Sequence, residues 1–154
     1  MATYFFDSSA LAKRYVTETG TVWVQTLTDP TAAAHAIYVA HITLVELVSA
    51  ITRRHRAGDL TANAAAAALA DLRADFVSDY SVIEVTASLI AQAAGLAEKH
   101  ALRGYDAVQL AATLQTNTAY VTTGMPPLTL ISADLDLNTA AAGEGLTVDN
   151  PNTH

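Results

Sequence analysis

Two short apolar runs, each ending in an acid, constrain this chain more than any other feature. Residues 3–6 (TYFF) run straight into Asp7, and residues 128–132 (LTLIS) lead through Ala133 into Asp134. A helical pattern follows each acid at once. A strand that delivers an acid to the start of a helix is the unit of an open α/β sheet, whose ligands bind outside the carboxyl ends of the strands. The rest of the chain keeps the same alternation. Residues 36–40 (AIYVA), 81–85 (SVIEV) and 146–148 read as strands. Helical spacing covers 9–17 with Ser8 as its cap, 21–28, and a stretch from Thr43 to about Ala57, where Leu44, Leu47, Val48 and Ile51 recur at i, i+3, i+4 and i+7. Further helices are expected over 61–78 (opened by Thr61), 86–100, 105–115 and 135–143. The pattern predicts a three-layer α/β/α fold around a central, mainly parallel sheet.

A chain of 154 residues suits one domain, expected here over 1–150 with 151–154 as a short tail. No stretch is both long and apolar enough to span a bilayer, and Asp7 interrupts the first apolar run, so neither membrane insertion nor a cleaved leader is expected. The absence of cysteine removes disulfides, thiolate chemistry and cysteine-held zinc, and a cytoplasmic protein is expected. The net charge of −7 argues against a protein that grips many phosphates of a duplex. It leaves a metal enzyme open, because a bound cation inverts the local field.

Asp7, Glu46, Asp106 and Asp134 are the candidate site acids. Each also has an ordinary reading. Asp7 and Asp134 stand where helix caps stand, and Asp106 lies in a first helical turn, where the helix dipole favours an acid. Glu46 lies opposite the apolar stripe of its helix, where a solvated face would do. Together they say more. Carboxylates gathered in one cleft repel each other unless a cation neutralises them, and an all-oxygen set suits Mg²⁺ or Mn²⁺. Ser9 and Ser132 are placed to orient a carboxylate, and Asp136 is a further, weaker candidate. Lys13, Arg14, Arg53 and Arg54 lie within a few helical turns of these acids and could contact substrate phosphates. The combination reads as a metal-dependent nuclease site. The five histidines form no zinc-type pair, Asp71, Asp75 and Asp79 read as a solvated helix face, and Glu18 shows no usable pattern.

Four segments in order, YFFDSSALAKRY, HITLVELVSAITRR, RGYDAVQLAATL and LTLISADLDLNTAAAGEGLTVDNP, resemble the PIN-domain ribonucleases, in particular the VapC-type toxins of toxin–antitoxin pairs. The resemblance spans essentially the whole chain. It implies a PIN-like fold in which Asp7, Glu46, Asp106 and Asp134 surround one or two Mg²⁺ or Mn²⁺ ions, supported by Ser9 and Ser132. It also implies an RNA substrate, expected to be single-stranded, a cognate antitoxin that blocks the pocket, and a homodimer. One departure is a longer link at 117–127 (NTAYVTTGMPP). Two other readings stand beside this one. The first is a metal- or partner-binding module without turnover. The second is an aspartate-based phosphotransferase, which would want a second acid where Ser9 stands.

Overall fold

The structure is a computed structural model that describes residues 1–32 and 34–154. Its elements run β1 (Thr3–Phe6), α1 (Ser8–Tyr15), α2 (Thr21–Thr28), β2 (Ala36–Ala40), α3 (Ile42–Arg56), α4 (Ala62–Ser78) and β3 (Ser81–Ile83). They continue through α5 (Ala87–His100), α6 (Gly104–Thr122), β4 (Thr129–Ile131), α7 (Leu135–Gly143) and β5 (Thr147–Asp149). The strands form one sheet in the order β3-β2-β1-β4-β5, with every pairing parallel. β1 is central, and the winding reverses at its border with β4.

Both faces of the sheet are covered, and the strand residues alternate accordingly. Phe6, Ile37, Val39 and Ile131 face one core, which α1 to α4 close with Leu11, Val24, Leu47, Ile51 and Leu72. Phe5, Ala40 and Leu130 face the other, which α5 to α7 close with Leu89, Leu96, Leu110 and Leu137. Right-handed crossovers account for this division. Winding outward from β1 to β3 puts the helices on one face, and the return to β4 and β5 puts them on the other. Thr61 and Thr86 cap α4 and α5, accepting from the amides of Ala64 and Leu89.

Two segments differ from expectation. The stretch 117–127, read as a long link, is helix up to Thr122, and the turn after it is short. The buried threonines of this helix are satisfied within it: Thr113 donates to the carbonyl of Gln109, and Thr116 to that of Ala112. Asn117 accepts from the amide of Leu128 at 3.1 Å and so ties the returning chain to the helix. The last residues, expected as a short tail, form a 3-10 turn over Pro151–Thr153 that packs on α2. The His154 ring stacks on Trp23 with centroids 3.9 Å apart.

That packing leaves no room at Gly20. Its φ is +86°, and a Cβ there would come within 2.3 Å of the Pro151 carbonyl oxygen. Gly20→Ala is expected to cost more than about 1 kcal/mol, from strain and from displacement of the terminal turn. Chemical denaturation should show a lower midpoint at unchanged slope.

Candidate active site

At the end of β1 the amide of Asp7 donates to the Ile131 carbonyl, extending the ladder before the chain turns into α1. Asp7, and not Ser8, is the cap of α1: its Oδ1 accepts from the Ala10 amide at 2.9 Å. The same carboxylate is buried and receives the Ser9 hydroxyl at 2.8 Å from both oxygens and the Ser132 hydroxyl at 2.8 Å from Oδ2. Ser132, directly after β4, is fully buried and accepts from the amide of Asp134 at 3.1 Å. Ser9 Oγ accepts from the amide of Ala133 at 2.9 Å. Two hydroxyls therefore bind the ends of the neighbouring strands β1 and β4 around one carboxylate.

The other acids arrive from three further elements. Asp134 caps α7, with Oδ1 accepting from the Leu137 amide at 2.8 Å. Asp106 lies in the first turn of α6. Glu46, one turn into α3, accepts from Ser8 Oγ at 3.0 Å through Oε2 and from Gln109 Nε2 at 2.8 Å through Oε1. All four acids line one cavity of about 730 Å³. Three of them stand at the N-termini of α1, α6 and α7, whose positive dipole ends offset part of the mutual repulsion. Burial pushes the Asp7 carboxyl up to about 7, against the hydrogen bonds from Ala10, Ser9 and Ser132, and Asp106 adds to the rise. Burial also raises Asp106, reinforced by the charge of Asp134 and opposed by Arg103.

The basic residues divide. Lys13, Arg53 and Arg54 line the cavity. Lys13 Nζ and Arg54 Nη2 both rest on Glu18, at 3.1 and 2.5 Å, so this acid without a sequence pattern organises two cations of the wall. Arg14 does not join them. It points the other way, with Nε on Asp75 at 2.9 Å and Nη1 on the Thr28 carbonyl and hydroxyl. Asp75 also accepts from the Tyr15 hydroxyl at 2.7 Å, so the helix face of Asp71, Asp75 and Asp79 is not uniformly solvated. Asp136 is exposed, does not line the cavity, and reaches the site only through its charge on Asp106.

Three residues at the site went unseen in the sequence: Glu18, Arg103 and Gln109. Arg103 stands 3.5 Å from both Asp106 Oδ2 and Asp134 Oδ2. Its place three residues before Asp106 was the available signal. Gln109 holds Glu46 from inside an apolar helix.

The donor set suits a hard divalent cation: four carboxylates on one cavity, one of them buried with a raised pKa. Among the described residues no three such side chains stand close enough to hold an ion as they are. The hydrogen bonds explain the spread. Asp7 and Asp134 each turn an oxygen to a helix-capping amide, and the Arg103 guanidinium lies against both Asp106 and Asp134. A cation would have to displace that guanidinium and draw the acids inward.

The model of the PIN domain family matches residues 4–142 of this chain. Ribonuclease VapC45 of Mycobacterium tuberculosis (strain CDC 1551 / Oshkosh) is 35% identical over 148 residues, covering 96% of this chain and 95% of that protein. The crystal structure of Mycobacterium tuberculosis VapC20, described as a Sarcin-Ricin loop cleaving toxin, superposes with a TM-score of 0.62 at 20% identity, over 89% of this chain and 94% of that one. A toxin–antitoxin complex from Klebsiella pneumoniae contains a chain with a TM-score of 0.60 at 17% identity, over 96% of this chain and 97% of its own.

The raised Asp7 carboxyl makes a testable link to stability. With its value moved from the ordinary 3.8 to about 7, the folded protein keeps a proton that the unfolded chain releases. The associated stability is present below about pH 4 and is lost as pH rises to about 7, with a slope of up to about 1.4 kcal/mol per unit. Asp7→Asn keeps a capping oxygen and removes the ionisation. In chelator, its melting temperature should exceed that of the wild type at pH 8, and the gap should close by pH 4. Parallel pH profiles for the two proteins would contradict this account.

Proposed function

The chain belongs to the PIN-domain family, in its VapC-type branch, and we propose that it is a metal-dependent endoribonuclease that hydrolyses single-stranded RNA as the toxin of a toxin–antitoxin pair. The observation that carries the reading is the arrival of Asp7, Glu46, Asp106 and Asp134, from four separate elements, on one cavity beside the ends of β1 and β4. The name of the 35% identical relative supports the activity.

Asp7, Asp106, Asp134 and Glu46 are the residues that would hold Mg²⁺ or Mn²⁺. When bound, such a cation supplies positive charge for the phosphoryl oxygens and lowers the pKa of water in the site. The chain's own groups do the rest. Ser9 and Ser132 fix the orientation of the Asp7 carboxylate. The Glu46 carboxylate orients the attacking water and draws its proton as the water oxygen bonds to phosphorus. Lys13, Arg53 and Arg54, on the wall lined also by Glu18, attract the flanking phosphates and set the strand across the acids. Attack by water breaks the bond from phosphorus to the 3′ oxygen, which takes up a proton as it leaves, so the new ends are a 5′-phosphate and a 3′-hydroxyl. A single strand fits best, because its phosphates can be threaded between the helix ends and its bases splayed outward. The antitoxin partner would cover this pocket. The homodimer and the cytoplasmic setting belong to the same proposal. Among the described residues no helix is long and apolar enough to cross a membrane.

A second reading, a binding module without turnover, draws on the spread of the acids and the Arg103 guanidinium against two of them. The phosphotransferase reading loses ground: Asp7 is buried and accepts three hydrogen-bond donors, so it is not presented for attack.

Purified protein free of antitoxin is expected to cut RNA with Mg²⁺ or Mn²⁺ and to stop in chelator. Asp106→Asn should lower kcat by ~100-fold or more. Arg53→Ala should mainly raise KM for RNA, by about tenfold. Products ending in a 2′,3′-cyclic phosphate would exclude attack by water. Binding of metal without any cleavage would favour the binding module.

A further inference from the structure

Gln109 is the polar residue in the buried part of α6 that packing does not explain. It is 1% exposed, between the partly buried Val108 and the fully buried Leu110. It lies three residues past Asp106, which places both on one side of the helix. Its Nε2 donates one proton to Thr43 Oγ1 at 2.8 Å and the other to Glu46 Oε1 at 2.8 Å, and both acceptors belong to α3. The side-chain carbonyl, Oε1, is buried and has no partner among the described residues. An orphaned buried acceptor is a cost to folding that an apolar side chain would avoid. The amide cannot turn over to relieve it. Reversal would set the carbonyl oxygen against the Glu46 carboxylate and leave that carboxylate without its donor.

The location adds to the argument. α3 belongs to the layer on one face of the sheet and α6 to the layer on the other, so the two meet beyond the strand ends, beside the cavity. Glu46 is thereby held from both oxygens, by Ser8 at Oε2 and by Gln109 at Oε1. Glutamate has one more rotatable bond than aspartate and reaches the cavity from farther back. Fixing it removes freedom that would otherwise be lost at each turnover.

We propose that Gln109 is a positioning residue of the nuclease site, whose amide holds the Glu46 carboxylate in the geometry that cation and water require. The inference rests on the metal-dependent nuclease reading and names a residue through which that site is set.

Gln109→Met keeps much of the volume and removes the donor. It is expected to weaken Mn²⁺ binding to the RNA-free protein about 10-fold or more, read by calorimetry, and to lower kcat by a similar factor. KM for RNA should stay within about twofold, since Gln109 is too buried to touch the strand. Gln109→Asn, whose amide stops one methylene short, should behave alike and covers the case in which the methionine variant does not fold. In a Glu46→Ala background the Gln109→Met loss should vanish, because the acceptor is gone. Wild-type Mn²⁺ affinity and kcat in both variants would overturn the positioning role alone. So would a loss that persists undiminished with Glu46→Ala. A wild-type protein that neither binds Mn²⁺ nor cuts RNA would overturn the nuclease reading and this inference together.

Discussion

A carboxylate buried at the centre of the sheet, close to other carboxylates, is the constraint around which this molecule is arranged. Asp7 is 2% exposed and would be expensive to ionise in isolation. Three donors meet it: the Ala10 amide at the start of α1 and the hydroxyls of Ser9 and Ser132. The first two are local to the turn into α1, but Ser132 reaches the carboxylate because β1 and β4 are neighbours, an adjacency that follows from the reversal of the winding between them. The same reversal puts α1 to α4 on one face and α5 to α7 on the other, so elements from both layers overhang the strand ends. Fold and site are therefore one arrangement. The hydrogen bonds that knit the sheet's two halves at their carboxyl ends are those that orient the buried acid.

The charge distribution follows from this. A chain of net charge −7 is a poor general ligand for nucleic acid, yet its cavity has an acidic end and a basic wall. Glu18 holds Lys13 and Arg54 together on that wall, which keeps two cations positioned without pairing them to the acids at the other end. Arg103 does the reverse and lies against Asp106 and Asp134. Exposed as it is, that guanidinium can leave when a stronger cation arrives.

Much of this was legible in the sequence, for local reasons. Asp7 and Asp134 follow apolar runs and open helices, and Asp106 begins one, so their placement needed only strand and helix periodicity. Glu46 stood out from its helical stripe, and the resemblance to PIN-domain ribonucleases joined all four into one site. The parallel sheet and most helix limits followed the same signals, whereas the strand order β3-β2-β1-β4-β5 rests on pairings between distant segments. What escaped detection depends on distant partners. Glu18 acquires its role from Arg54, 36 residues away, and Gln109 from Glu46, 63 residues away. Lys13 and Arg14 look like a pair in one dimension, but adjacent helical residues diverge by about 100°, and Arg14 turns to Asp75 instead. α6 runs past the expected end at 115 to Thr122, where the Thr116 hydroxyl returns to a helix carbonyl and Asn117 accepts from the amide of the incoming Leu128.

The proposed function requires that these four acids hold a divalent cation at the ends of β1 and β4. Crystals grown with Mn²⁺ and measured at a wavelength where manganese scatters anomalously would test it most directly. The account predicts an anomalous peak within coordination distance of Asp7 and of Asp106 or Asp134, with the Arg103 guanidinium displaced from between them. A peak elsewhere on the protein with this cleft left empty, in a preparation that cuts RNA, would contradict it.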